Sequence, residues 1–420
     1  AETGRRHGAN ALDPQSFLTD WTAAEIQTLL ERPLFGFASY GRVRFHNRSA
    51  IEYLAACRLL GLMKHGLRTR TLQRLLFVTS PVGLKLVRPT MQPVAAWLAS
   101  LLDPIRNEVL QRDPSILLRF GDPGALQPAM RVQALELYAQ RYGSGGWRGM
   151  HVPALQARRL ASPELAPTIR KLWDAGIEND EVRETLLDLI ETGRIHACAD
   201  IAFDVAVDVA RDVRERLDGL KGLAATDDPR LTGLLDQIAS QHAGWPPDLA
   251  KLAILYLFPA KMTLVQMLGS LRTLKYRRFD AGGISSFLPD AITRARTAPA
   301  GLELLRDGLT HYVTADCAWD PVNHRMRTGR RDLVGPLTRV CELQFRDRAA
   351  DGPLAESVAL VLQLSRDDDY ADDDTRRLRE MLITARPSLR AAVFWEQDAL
   401  LTSKMVGKDA DDRLVRTLWA

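Results

Sequence analysis

Residues 37–62 read FASYGRVRFHNRSAIEYLAACRLLGL. Arg42-Val43-Arg44-Phe45 alternates polar and apolar side chains, the period of a half-buried strand, and Tyr40-Gly41 ahead of it is a turn signal. A small β-hairpin is therefore expected over 37–46. His46 stands at its exit. Ser49 to Lys64 then carries apolar residues at helical spacing, with a single carboxylate, Glu52, inside the apolar run, and Gly66 supplies the stop.

Upstream, Thr22 and Glu25 have the spacing of a capping box; Ile26, Leu29 and Leu30 give that helix an apolar face, and Pro33 ends it. Helix, turn and two-stranded wing together read as the back half of a winged-helix module. Residues 1–14 read as a tail, 15–48 as the winged-helix remnant and 49–145 as a helical arm. Beyond residue 66 nearly everything is expected to be helical, with breaks at Asp103-Pro104 and Asp113-Pro114. Leu165, Ile169 and Leu172 form one apolar stripe, and Val182, Leu186, Leu187 and Ile190 the next, across the short link GIEND (176–180). That pairing has the character of a HEAT-type helix hairpin, and later segments repeat it at irregular intervals. The expected fold is all-α: a solenoid of degenerate HEAT-like hairpins over 146–420, since one hairpin cannot bury its apolar face alone.

Several segments interrupt the rhythm. FDAGGISSFLPDA (279–291) is expected to be a loop, 311–336 an irregular insert, RDDDYADDD (366–374) a solvated linker, and RYGSGGWRGM (141–150) a flexible link between helices.

The totals limit the possible functions. Hydrophobic residues make up 46% and charged residues 26%, which describes a folded rather than a disordered chain. A net charge of +4 over 420 residues is too small to argue for nucleic-acid binding globally, so a basic patch has to be local. The four cysteines are scattered without a Cys-x-x-Cys pair, which fits a reducing cytoplasm better than a disulfide framework or a zinc site. The most apolar stretch, 249–268, contains Lys251, Pro259 and Lys261 and reads as two buried helices, not a membrane span. The chain opens without Met and ends within an amphipathic pattern, and is expected to be a fragment of a longer protein.

No Gly-x-x-x-x-Gly-Lys-Ser/Thr phosphate loop occurs in the sequence. The acidic run lacks the spacing and glycine of a calcium loop, and the His196/Cys198 and Cys317/His324 pairs are isolated, so no metal site is expected. The serines of GISSF and ASQH lack a nucleophile elbow. No catalytic residue is assigned, and the chain itself is expected not to be an enzyme. Two basic clusters remain as candidate phosphate or partner contacts: Arg272, Lys275, Arg277 and Arg278, and, in the insert, Arg330 and Arg331 alongside Arg325 and Arg327. For both, a solvated face is the commoner meaning.

The junction Phe45-His46, then 47–51, then Glu52-Tyr53-Leu54-Ala55-Ala56 resembles the end of the winged-helix domain in bacterial NACHT-type STAND NTPases, and 87–126 resembles their helical arm. Asn47 stands where such relatives often carry a second histidine. The resemblance implies the C-terminal regulatory and sensor part of a signal-transducing ATPase, commonly an anti-phage defence protein. It implies that His46 faces nucleotide phosphate in the resting state, with an ATPase domain upstream in cis and ADP or ATP with Mg bound there, not in this chain. Glu52 would pair with an arginine or cap local amides, while Tyr53 and Leu54 would pack the junction. The trigger is expected to be a protein sooner than a nucleic acid, and the active state a homo-oligomer without membrane contact. The alternatives are a stand-alone helical scaffold for a protein partner and, third, a nucleic-acid-binding solenoid.

Overall fold

A computed structural model describes residues 13–38, 42–45, 47–272, 274, 283–295, 299–323, 325–347, 352–365 and 373–405. The fold is all-α in class: 70% helix and 5% strand, the strands forming only small antiparallel hairpins. Two compact units are present, Ala1–Ile195 and His196–Ala420. The domain boundary expected at 145/146, between helical arm and solenoid, falls inside the first unit.

The first unit begins with α1 (Ala23–Leu30), β1 (Phe35–Ala38), β2 (Arg42–Phe45), α2 (Arg48–Lys64) and α3 (Thr69–Leu76). The expected capping box forms: the Thr22 hydroxyl accepts from the Glu25 amide at 3.3 Å, and the Glu25 carboxylate accepts from the Thr22 amide at 2.7 Å. The Thr22 amide and then its hydroxyl, both donating to that carboxylate, hold the Glu25 carboxyl below its usual range. β1 and β2 pair with Phe35 opposite Phe45, their rings 4.7 Å apart. Gly66 takes a φ of +101° after α2, a conformation that suits glycine.

The chain after residue 66 is not wholly helical. β3 (Phe77–Thr79) and β4 (Lys85–Val87) form a second hairpin, which corrects the helical expectation there. Its turn closes through Ser80 and Leu84, whose backbone and hydroxyl bonds measure 2.8 and 3.0 Å, and Gly83 supplies a φ of +82°. Arg112 ties both strands down, donating to the carbonyls of Val78 and Leu86 and lying over the Phe77 ring at 4.8 Å. The helices α4 (Gln92–Ala99), α5 (Asp103–Arg112), α6 (Ser115–Arg119), α7 (Pro128–Tyr142), α8 (Ala154–Leu160), α9 (Ala166–Asp174) and α10 (Asp180–Gly193) complete the unit. The row α2, α4, α6, α8, α10 packs each helix on the next member, and α7 packs on α9. Leu165, Ile169, Val182, Leu186, Leu187 and Ile190 are buried as their stripes predict, while Leu172, the last of the first stripe, is only half-buried.

The second unit contains α11 (Ala199–Val207), α12 (Val213–Ala225), α13 (Arg230–Ala239), α14 (Pro247–Leu257), α15 (Leu264–Leu271), α16 (Ile284–Arg294) and α17 (Pro299–Ala315), then β5 (Cys317–Asp320) and β6 (Arg325–Thr328). It ends with α18 (Val334–Asp347), α19 (Gly352–Leu364), α20 (Asp373–Ile383) and α21 (Pro387–Lys404). α13, α15, α17, α19 and α21 form one row of successive contacts, and α12, α14, α16, α18 and α20 a second. The stretch 249–268 is indeed two helices, α14 and the start of α15, and among the described residues no helix is long and apolar enough to cross a membrane.

Two interruptions differ from expectation. Of the loop expected over 279–291, residues 279–282 lie outside the described residues and 284–291 are helical: Ile284, Leu288, Ala291 and Ile292 are buried at helical spacing, and that period outweighs the poor propensities of Ser285, Ser286 and Pro289. The insert expected over 311–336 opens as the last turn of α17, continues as the β5–β6 hairpin with Cys317 opposite Thr328, and enters α18 at Val334. Of the acidic run, 366–372 lies outside the described residues.

Candidate functional site

At the N-terminal junction, His46 lies outside the described residues. Its neighbours are placed. Phe45 is half-buried against Phe35. Asn47 caps α2, its side-chain oxygen accepting from the Ser49 amide at 2.8 Å, which gives that position a local structural role. Of the two roles open to Glu52, the ion pair forms: Arg48 Nε lies 3.1 Å from it, one helical turn away. The Arg48 side chain is largely exposed, so the pair contributes only a fraction of a kcal/mol, about 0.3–0.5.

Leu54 does not fill a seam, contrary to expectation. It is 44% exposed and Tyr53 47%, the latter edge-on to Trp97 with ring centroids 5.0 Å apart. Ile51 is exposed as well, and Ala56 is the single buried residue of α2. Helical periodicity shows that a face is apolar; it does not show that anything in the same chain covers it.

The two basic clusters converge in part. A cleft of about 450 Å³ in the second unit is lined by Arg272 at the end of α15, His311, Tyr312 and Ala315 in α17, Asp316, and Arg330 after β6. Lys275, Arg277 and Arg278 lie outside the described residues, and Arg331 is exposed on the turn leading into α18. Within the cleft the two arginines differ. Arg330 is buried, and its Nε and Nη2 each donate to one oxygen of Asp332 at 3.3 Å while Nη1 donates to the Leu271 carbonyl at 3.1 Å. The Tyr312 hydroxyl donates to the Leu268 carbonyl at 2.9 Å. Together they satisfy carbonyls at the C-terminal end of α15, where a helix leaves acceptors unpaired and carries partial negative charge. Arg330 is thus largely committed to the fold. Arg272 and His311 are the exposed basic groups of the cleft, opposed by Asp316. Such a mixed rim suits a single carboxylate or phosphate better than a polyanion. Arg327 is likewise engaged, 2.6 Å from Asp320. Among the described residues no group of His, Cys, Asp or Glu could hold a metal ion.

Sequence reasoning missed one constellation. RYGSGGWRGM is not a flexible link but is pinned from across the fold. The buried Glu181 carboxylate accepts the amides of Arg148, Met150 and His151 at 2.6, 2.8 and 3.2 Å. Asn179, fully buried, caps α10 through the Glu181 amide and donates to the carbonyls of Tyr142 and Gly146. The Tyr138 hydroxyl donates to Met150 at 3.0 Å. The loop so held presents Trp147, 78% exposed. The link GIEND was legible as a turn; that its polar residues reach back some thirty positions was not.

No known protein family, curated protein or solved structure matches this chain.

Proposed function

We propose that this chain is the C-terminal regulatory and sensor portion of a NACHT-type STAND ATPase, acting in bacterial anti-phage defence in the cytoplasm. The observation that carries the proposal is the junction. A paired hairpin leads directly into α2, and α2 leaves Ile51, Tyr53 and Leu54 exposed, an apolar face suited to a domain in cis. In this reading His46 donates to nucleotide phosphate in the closed state, and a charged ring is favoured there. The alternating rows of helices support a degenerate HEAT-like solenoid as the remainder.

The chain contributes sensing and restraint, and the ATP, ADP and Mg belong to the upstream domain. A trigger on the helical rows favours the open, oligomer-forming state only by binding it more tightly than the closed one. The same rows would serve a stand-alone scaffold, so the test has to address the coupling. The parent reading frame is expected to encode, ahead of residue 1, a strand followed by a Gly-rich loop ending in Lys-Ser/Thr. In that parent protein His46→Ala is expected to speed ADP release and raise basal activity. A parent frame without such a loop defeats the proposal, and unchanged ADP retention removes the phosphate role of His46. The nucleic-acid reading is weaker because Arg330 and Arg327 already have acidic partners.

A further inference from the structure

Between Glu52 and Asp103 the chain carries seven Lys and Arg residues and no Asp or Glu. That is more positive charge than the net +4 of all 420 residues. The fold draws part of it into one pocket of the first unit. A space of about 220 Å³ lies between α3, β3 and α5, lined by Arg70, Gln73 and Arg74 of α3, Thr79 of β3, and Glu108 and Arg112 of α5.

Leu72 and Leu76 bury one face of α3, which leaves Arg70 and Arg74 exposed on the other, one turn and about 6 Å apart along the axis. Neither guanidinium has an ion-pair or hydrogen-bond partner among the described residues. Elsewhere in the unit Arg48, Arg106 and Arg183 each pair with a carboxylate about one turn away. Arg112 is held firmly. Its Nε donates to Glu108 at 2.7 Å and its Nη1 to the two strand carbonyls, which fixes the guanidinium over the Phe77 ring. Its Nη2 makes no hydrogen bond among the described residues. Two more cations flank the pocket: Lys85 stands opposite Thr79 in the hairpin, and Arg88 reaches the Arg74 carbonyl at 3.5 Å.

These groups select a ligand by charge and by hydrogen bonding. Three guanidiniums against one carboxylate leave two positive charges in the pocket. The uncommitted groups can all donate: two guanidiniums, Arg112 Nη2, the Gln73 carboxamide and the Thr79 hydroxyl. The Glu108 carboxylate and the Val78 carbonyl, both acceptors, already receive Arg112. The complement is a group that accepts only and carries close to two negative charges, and a phosphate monoester does both at neutral pH. A carboxylate brings a single charge and leaves one arginine unmatched. A nucleic-acid strand stacks its bases on open aromatic faces, whereas the aromatic residue that lines this pocket, Phe77, is buried beneath Arg112.

We propose that the pocket between α3, β3 and α5 binds a phosphate monoester, clamped by Arg70 and Arg74 against the fixed guanidinium of Arg112. The ester is either a soluble molecule or the headgroup of a lipid. The proposal goes beyond the nucleotide-coupled reading, since the pocket serves a sensor and a scaffold alike.

The test titrates the full chain with phenyl phosphate by isothermal titration calorimetry in about 0.15 M salt. One-to-one binding is expected with a Kd of about 1 mM or tighter. Diphenyl phosphate, a singly charged diester, is expected to bind roughly tenfold more weakly. Arg70→Ala with Arg74→Ala should weaken phenyl phosphate binding roughly tenfold or more, by loss of two charge-assisted pairs. Arg58→Ala with Lys64→Ala removes the same charge from α2, outside the pocket, and should change binding by less than about twofold. Circular dichroism establishes that both variants are folded. Vesicle pelleting separates the two sources. Selective pelleting on phosphatidylcholine vesicles containing phosphatidic acid, over those containing phosphatidylglycerol, assigns a lipid headgroup if the Arg70 and Arg74 changes abolish it. Phenyl phosphate binding without such pelleting assigns a soluble ester. The proposal is overturned by the failure of both, by equal affinity for the diester, or by equal weakening in the two variants. Tighter capture of a single-stranded RNA lacking terminal phosphates, lost on changing Arg70 and Arg74, would overturn it in favour of a polyanion.

Discussion

Glu181 is a carboxylate with 1% of its surface exposed, and it survives burial because three amide N–H groups and the first turn of α10 face it. Glu181→Ala would leave those part-buried donors without their acceptor. A loss of about 2–4 kcal/mol in urea unfolding is expected; a loss under about 0.5 kcal/mol, the range of an ordinary surface change, would show that the loop is not held in this way. Beside this carboxylate, burial pushes the Tyr138 and Tyr142 hydroxyls from an ordinary value of 10 up to about 12, with the Asp113 carboxylate adding to the effect at Tyr142. Because the folded-state values are raised, their contribution to stability is complete below pH 10 and is lost as pH rises from there toward about 12. Alkaline unfolding followed by circular dichroism should coincide with tyrosinate absorbance in that window. Early ionisation of all eight tyrosines with no change in ellipticity would contradict it. At this level the sequence was informative only where partners are near in the chain. Thr22 and Glu25 announced their cap, three residues apart. The partners of Glu181 lie thirty or more residues away, and no local pattern encodes them.

Among the elements, long periodic helices were legible and short hairpins were not. The stripe Val182, Leu186, Leu187, Ile190 repeats often enough to outweigh noise. β3 and β4 are three residues each, too short to display a period, and depend on Arg112 from α5. α16 was missed for the opposite reason: local propensity pointed to a loop, while four buried apolar residues at helical spacing decided otherwise. The same reasoning separates two leucines that look alike in sequence. Leu186→Ala, at a fully buried position, is expected to cost about 2–5 kcal/mol in chemical denaturation. Leu54→Ala, on the exposed side of α2, should stay within about 0.5 kcal/mol in the isolated chain. Comparable losses at both sites would mean that α2 is covered within this chain, removing the observation on which the proposed junction rests.

At the scale of a whole unit, each of α14 to α19 lies between neighbours two positions before and after it. Cysteine reactivity can report on that arrangement. Cys57, in α2, is half-buried; Cys198, Cys317 and Cys341 are buried, and burial pushes the Cys317 thiol up to about 11 and the Cys341 thiol to about 12. Iodoacetamide at neutral pH is expected to alkylate Cys57 first, with the other three protected until urea is added. Rapid labelling of two or more thiols by mass spectrometry would mean that the second unit opens in water. The all-helical class was readable from composition and period over hundreds of residues. The division at 195/196 was not, because it depends on which helices touch, and the amphipathic pattern runs across it unchanged.

The Asn179 and Glu181 clasp on residues 146–151 bears on how this chain can be engineered. A run such as Gly-Ser-Gly-Gly invites the insertion of a reporter or the placing of new termini, since such stretches usually tolerate both. Here an insertion at 145–149 would prise amides from the buried Glu181 carboxylate that holds them. The turn between β3 and β4, whose Val82 and Leu84 are exposed, is the better place to graft.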